Sequence, residues 1–141
     1  MKPILLGALA CLNLDGHLSG DCLYKSTNYG DLSGHLEFVI HQKACDQIQI
    51  DGADIKIPGV FEHQETSQNR TETTRIQMTW KDPLQNRLGF RYEFWGEDYG
   101  QLKDKVLLEG EFSKIPGGFQ LHQSGIVDGD QVKIQCKLRR I

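Results

Sequence analysis

The stretch Thr71–Trp95, TETTRIQMTWKDPLQNRLGFRYEFW, constrains the fold more than any other part of the chain. Ile76, Met78 and Trp80 alternate with Arg75, Gln77 and Thr79. After the polar turn Lys81–Asn86 the rhythm resumes, with Leu88, Phe90, Tyr92 and Phe94 set against Arg87, Arg91 and Glu93. Successive side chains of a strand point to opposite faces, so a period of two puts one face in water and the other in a core. A helix would scatter the same residues around its axis. The stretch predicts two antiparallel strands folded on each other.

The same period recurs along the chain. His35–Gln42 sends Leu36, Phe38 and Ile40 to one side; Gln47–Ile50, Ala53–Ile57, Lys105–Ser113 and Gln131–Arg139 alternate likewise, and Leu18–Ser26 is a weaker first strand. Between them stand Asn28-Tyr29-Gly30-Asp31, Asp51-Gly52, Pro58-Gly59, Gly96–Gly100, Pro116-Gly117-Gly118 and Asp128-Gly129-Asp130, residues that favour tight reversals. Phe61–Arg70, the longest polar run, reads as a surface loop. No segment carries a helical period. The expected fold is all-β: an antiparallel meander of about eight strands, as a closed barrel or a sandwich. In size and strand count it resembles the lipocalin-like barrels, an analogy of architecture. Where that group carries Gly-x-Trp in its first strand, this chain has Gly20-Asp21-Cys22-Leu23-Tyr24, so no family follows.

The N-terminus has the pattern of a leader over residues 1–16, with one barrel domain over 17–141. Met1-Lys2 supplies a positive charge, Pro3–Leu9 is almost wholly apolar, and Ala8-Leu9-Ala10 is an A-x-A cleavage pattern. An apolar run this short also reads as an edge strand. The expected location is secreted or periplasmic. An outer-membrane lipoprotein is the alternative, since Cys11 follows Ala10, although Ala8 stands where a lipoprotein box wants leucine. In an exported chain Cys11, Cys22, Cys45 and Cys136 predict two disulfides, and four cysteines allow three connectivities. Cys136 shares the apolar side of the last strand with Val132, Ile134 and Leu138, and Cys22 aligns with Tyr24. If first and last strands adjoin, Cys22–Cys136 is the natural bridge and Cys11–Cys45 remains.

Charge and motifs narrow the function by exclusion. A net charge of −3 and a pI near 5.9, with no basic run beyond Lys137–Arg140, argue against nucleic acid as a partner. No run reaches the ~18 apolar residues of a membrane span. There is no Gly-x-Ser-x-Gly, phosphate loop or Cys/His dyad, and no cysteine spacing of a zinc site. No catalytic residue, metal ligand or cofactor is therefore expected, and nothing favours an enzyme. His35, Glu37 and His41 share a face, as solvated residues of a wet sheet do. Glu93, Glu109 and Glu111 lie opposite Arg75, Arg87 and Arg91, an arrangement that cross-strand ion pairing accounts for.

The aromatic residues are the positive signal. Phe38, Trp80, Phe90, Tyr92, Phe94, Phe112 and Phe119 all take the inward parity, and a small barrel is either filled by such side chains or holds one small ligand. The expected function is an exported, disulfide-braced barrel that binds a small apolar or amphipathic molecule. Trp80, Phe90, Tyr92 and Phe94 would contact it, with Trp95 at the rim. The alternative is a structural or protein-interaction module of the envelope with a filled core. Its contact surface would be Leu107, Trp95, Tyr99 and Phe61–Arg70.

Overall fold

Alternating stretches separated by tight turns fold in the computed structural model, which describes residues 10–141, into ten strands and no helix among the described residues. They are β1 (Gly16–Ser26), β2 (Gly30–Ala44), β3 (Gln47–Ile50), β4 (Ala53–Lys56), β5 (Gly59–Ser67), β6 (Arg70–Trp80), β7 (Arg87–Asp98), β8 (Gln101–Ile115), β9 (Gly118–Val127) and β10 (Asp130–Arg140). All belong to one antiparallel sheet in the order β4-β3-β2-β1-β10-β9-β8-β7-β6-β5, curled into a nearly closed barrel. The central hairpin forms as predicted, with the two inward faces matched: Ile76 faces Tyr92, Met78 faces Phe90 and Trp80 faces Leu88.

The ladder that curls the sheet joins the two ends of the chain. β1 pairs with β10 from Leu18↔Arg140 to Ser26↔Val132, and Cys22 lies directly opposite Cys136, to which it is bonded. The second disulfide is Cys11–Cys45. In the chain-entropy account, a loop as long as the 114 residues between Cys22 and Cys136 stabilises by roughly 5 kcal/mol. The opening falls instead between β4 and β5, neighbours in sequence that share no ladder.

The loop expected over Phe61–Arg70 is a strand. β5 runs Gly59–Ser67 and pairs with β6 from Gly59↔Met78 to Ser67↔Arg70, around a turn at Gln68-Asn69. Its missing periodicity has a physical cause. Phe61 packs on the core, but Glu62 to Ser67 are all exposed. This half of the edge strand has nothing apolar beneath it, so both of its faces are polar. It is one of the ten strands that the expected count of about eight did not include.

Core packing is densest at the end of the barrel where the chain enters. Leu12, Leu14, Leu18, Ile40, Ile48 and Leu88 are at most 5% exposed. Residues 11–15 cross this end beside the β2–β3 and β6–β7 turns, held by Cys11–Cys45 and by Leu12 N–H donating to Gln85 O at 2.8 Å. The Gln42 amide, also buried, accepts from Leu14 N–H at 2.8 Å and donates to Leu12 O at 3.0 Å. Of the leader expected over residues 1–16, residues 1–9 lie outside the described residues.

Candidate functional site

The barrel is lined unevenly because β3 and β4 are short. Their hairpin reverses at Asp51-Gly52, level with the middle of β2, where Asp51 N–H donates to Val39 O at 3.1 Å. Above that level no strand among the described residues stands between β2 and β5, and an apolar cavity of about 440 Å³ opens there. That volume falls within the range of small-molecule sites. Leu36 and Phe38 of β2, Ile76 of β6, Phe90 and Tyr92 of β7 and Phe112 of β8 form most of its surface.

An aromatic triad gives the cavity its floor. The Phe112 ring stands edge-on to Phe38, with centroids 6.1 Å apart, and tilted against Phe90 at 5.6 Å. Edge-to-face and tilted pairs satisfy the ring quadrupoles and keep the rings from stacking flat across the space. The Tyr92 phenol lies half-buried at the side, and burial pushes its pKa above the ordinary value near 10. Gln123 of β9 adds an amide, and Glu37 and Asp51 reach the mouth. Among the described residues no lysine or arginine lines the space. The lining is thus mainly apolar, with the hydrogen-bonding groups of Tyr92 and Gln123 and the acidic residues Glu37 and Asp51 at its border.

The structure places the five residues singled out from sequence in three surroundings. Phe90 and Tyr92 line the cavity. Trp80 packs against the core toward the closed end, its indole N–H donating to Cys45 O at 2.9 Å, well tied and away from the opening. Phe94, half-buried, pairs with Thr74 and Val106 farther along β7 and does not line the cavity. Trp95 sits on the opposite face between Thr73 and Lys105, partly exposed. The lining residues that sequence passed over are chiefly aliphatic: Leu36, Ile50, Ile76, Leu108 and Leu121. Alternation gave their inward parity, but nothing local distinguishes a residue facing a void from one facing another side chain.

The polar side chains are engaged elsewhere. His35 Nδ1 lies 3.1 Å from Asp21 Oδ1 and its Nε2 2.9 Å from Ser19 Oγ, while His17 Nε2 lies 2.7 Å from Glu37 Oε1. Arg91 bonds Glu93 at 2.9 Å and Glu109 at 3.1 Å across the outer face. At the far end of the barrel Arg70 meets Glu72 at 3.1 Å, Asp98 at 3.1 Å and Asp104 at 2.6 Å; these three partners raise its already high pKa. Among the described residues no group of histidine, cysteine, aspartate and glutamate side chains is arranged to hold a metal ion. Comparison with protein-family models, curated proteins and solved structures finds no match for the chain.

Proposed function

We propose that this chain is an exported, disulfide-braced β-barrel that binds a small apolar or amphipathic molecule. The observation that carries the reading is the open cavity above the Phe38–Phe90–Phe112 triad. A monomeric barrel with no use for the space would be expected to fill it, since interiors pack to crystal-like density and each missing methylene is felt. Two disulfides support an oxidising compartment, secreted or periplasmic. Phe90 and Tyr92 are the expected contacts, joined by Leu36, Phe38, Ile76 and Phe112. Trp80, Phe94 and Trp95, the other contacts expected from sequence, stand outside the lining of this cavity.

The test is titration of the purified protein with an environment-sensitive apolar dye, alongside native mass spectrometry for a copurified molecule. Leu36, half-buried at the mouth, tolerates bulk better than a core position, so Leu36→Trp is the blocking variant. Saturable dye binding by the wild type, weakened about tenfold or more by Leu36→Trp at unchanged melting temperature, is the expected result, as occluding a buried apolar contact of that size removes at least ~1.5 kcal/mol. A wild-type protein that takes up neither dye nor any copurified molecule would instead be a solid module working through its outer surface.

A further inference from the structure

The open side of the barrel is bounded by main chain that pairs with no strand among the described residues. At Val39 both the N–H and the C=O turn toward the β3–β4 hairpin, and Asp51 satisfies them. Its amide donates to Val39 O at 3.1 Å, and its carboxylate Oδ1 accepts from Val39 N–H at 3.1 Å. Main-chain groups along an antiparallel strand alternate between its two neighbours. Those of Asp31, Ser33, His35 and Glu37 therefore turn the same way as Val39, while the even-numbered residues bond to β1. The β3 ladder covers β2 only from Ile40 to Ala44, so among the described residues no strand receives the groups of these four. Across the gap, β5 is paired with β6 alone.

Three features of this edge agree on what it would take. The apolar cavity runs along it: Leu36 and Phe38, two residues apart, turn inward between the free main-chain groups. That is the spacing at which an added strand presents alternate side chains. Its charge is mainly acidic. Asp31, Glu37 and Asp51 stand on one side of the gap and Glu62 and Glu65 on the other; Glu37 is paired with His17, Glu62 with Arg75 and Glu65 with His63, and neither Gly30–Phe38 nor Gly59–Ser67 contains a lysine, arginine or proline. Natural edges are commonly blunted by lysine or proline; the β2 edge has neither. A second copy of the chain would bring like charge to like charge.

We infer that the gap is a strand-addition site for an extended basic peptide segment, paired with the Gly30–Phe38 edge of β2 and seating one apolar side chain in the cavity. The inference rests on the reading of the cavity as a receptor for an apolar group, and it names the kind of molecule that carries the group. Main-chain hydrogen bonds supply affinity, the cavity selects the apolar residue, and the acidic flanks select basic residues on either side of it.

The experiment uses a short fluorescent peptide alternating lysine with valine and containing one phenylalanine. Its controls are a version with glutamate for lysine and one N-methylated on alternate amides. Ser33→Pro removes one N–H that points into the gap and none that bonds β1, and edge positions accept proline. The lysine peptide is expected to bind wild type and to displace the apolar dye. Binding should weaken about fivefold or more with Ser33→Pro, as loss of one main-chain hydrogen bond predicts. It should fail with the glutamate and N-methylated peptides, while dye binding to Ser33→Pro is unchanged. Dye binding without peptide binding overturns the strand-addition site and leaves the cavity reading intact; failure of both removes the two together. Equal binding of the glutamate or N-methylated peptide overturns the inference, whether or not Ser33→Pro folds. A concentration-dependent dimer in sedimentation, abolished by Ser33→Pro, would make a second copy the occupant and overturns it too.

Discussion

A buried side-chain amide is tolerated only when its donors and acceptor find partners. Gln42, 7% exposed, meets that condition through main chain far away in sequence. Its Oε1 accepts from Leu14 N–H, and its Nε2 donates to Leu12 O and, at 3.4 Å, to Cys11 Sγ. Its own N–H donates to Asp15 Oδ1 at 2.8 Å. Substituting Gln42→Leu keeps the volume and the inward parity but strands the Leu14 N–H and the Leu12 carbonyl. Each such group costs about 1–3 kcal/mol, so equilibrium denaturation should show a loss of roughly 2–4 kcal/mol. An unchanged midpoint would mean that water replaces the amide there. Sequence gave the parity of Gln42 from the alternation Leu36, Phe38, Ile40, but not its role. Its partners lie in residues 11–15, where the local signal is that of a leader. A hydrogen bond across some thirty residues leaves no periodic trace.

At the scale of elements, sequence reading succeeded where a strand has one wet face and one buried face, and failed where it has two wet ones. The hairpin from β6 to β7 was legible to the facing of each side chain, because the inward residues from Ile76 to Phe94 are apolar. β5 was invisible as a strand because its outer half lies beyond the core. That half is held by its ladder to β6, and the Arg70 cluster ties the β5–β6 turn to the β7–β8 turn, where Tyr99 N–H also donates to Asn69 O at 2.7 Å. Gly96 belongs to the same device, since a Cβ there would lie 2.4 Å from an Arg70 guanidinium nitrogen. Replacing Arg70 by alanine leaves Glu72, Asp98 and Asp104 facing one another without a cation. Arg70→Ala should therefore lower the melting temperature most at low ionic strength, and the deficit relative to wild type should shrink as salt screens the carboxylates. A deficit independent of salt would assign Arg70 to packing instead.

Taken as a whole, the molecule places its opening where a simple meander would not. An up-and-down barrel ordinarily leaves first and last strands to find each other. Here that junction has a long ladder and a disulfide, and the break lies between β4 and β5, which are joined by only two residues. The cavity was illegible from sequence for this reason: it is a product of strand lengths, four residues in β3 and β4 against fifteen in β2, and not of composition. The same mismatch makes a prediction about β2 residue by residue. Between Asp31 and Phe38 the even-numbered amides donate to β1 and the odd-numbered amides face the gap. Amide exchange requires breaking a hydrogen bond only where one exists. Leu32, Gly34, Leu36 and Phe38 should therefore exchange slowly, at rates close to those of the β1–β10 ladder, while Ser33, His35 and Glu37 exchange rapidly. From Val39 to Gln42, where Asp51 and β3 cover the open side, the contrast should vanish. Uniform protection along β2 would show that the wall closes in solution, and the cavity would then be sealed from molecules approaching from that side.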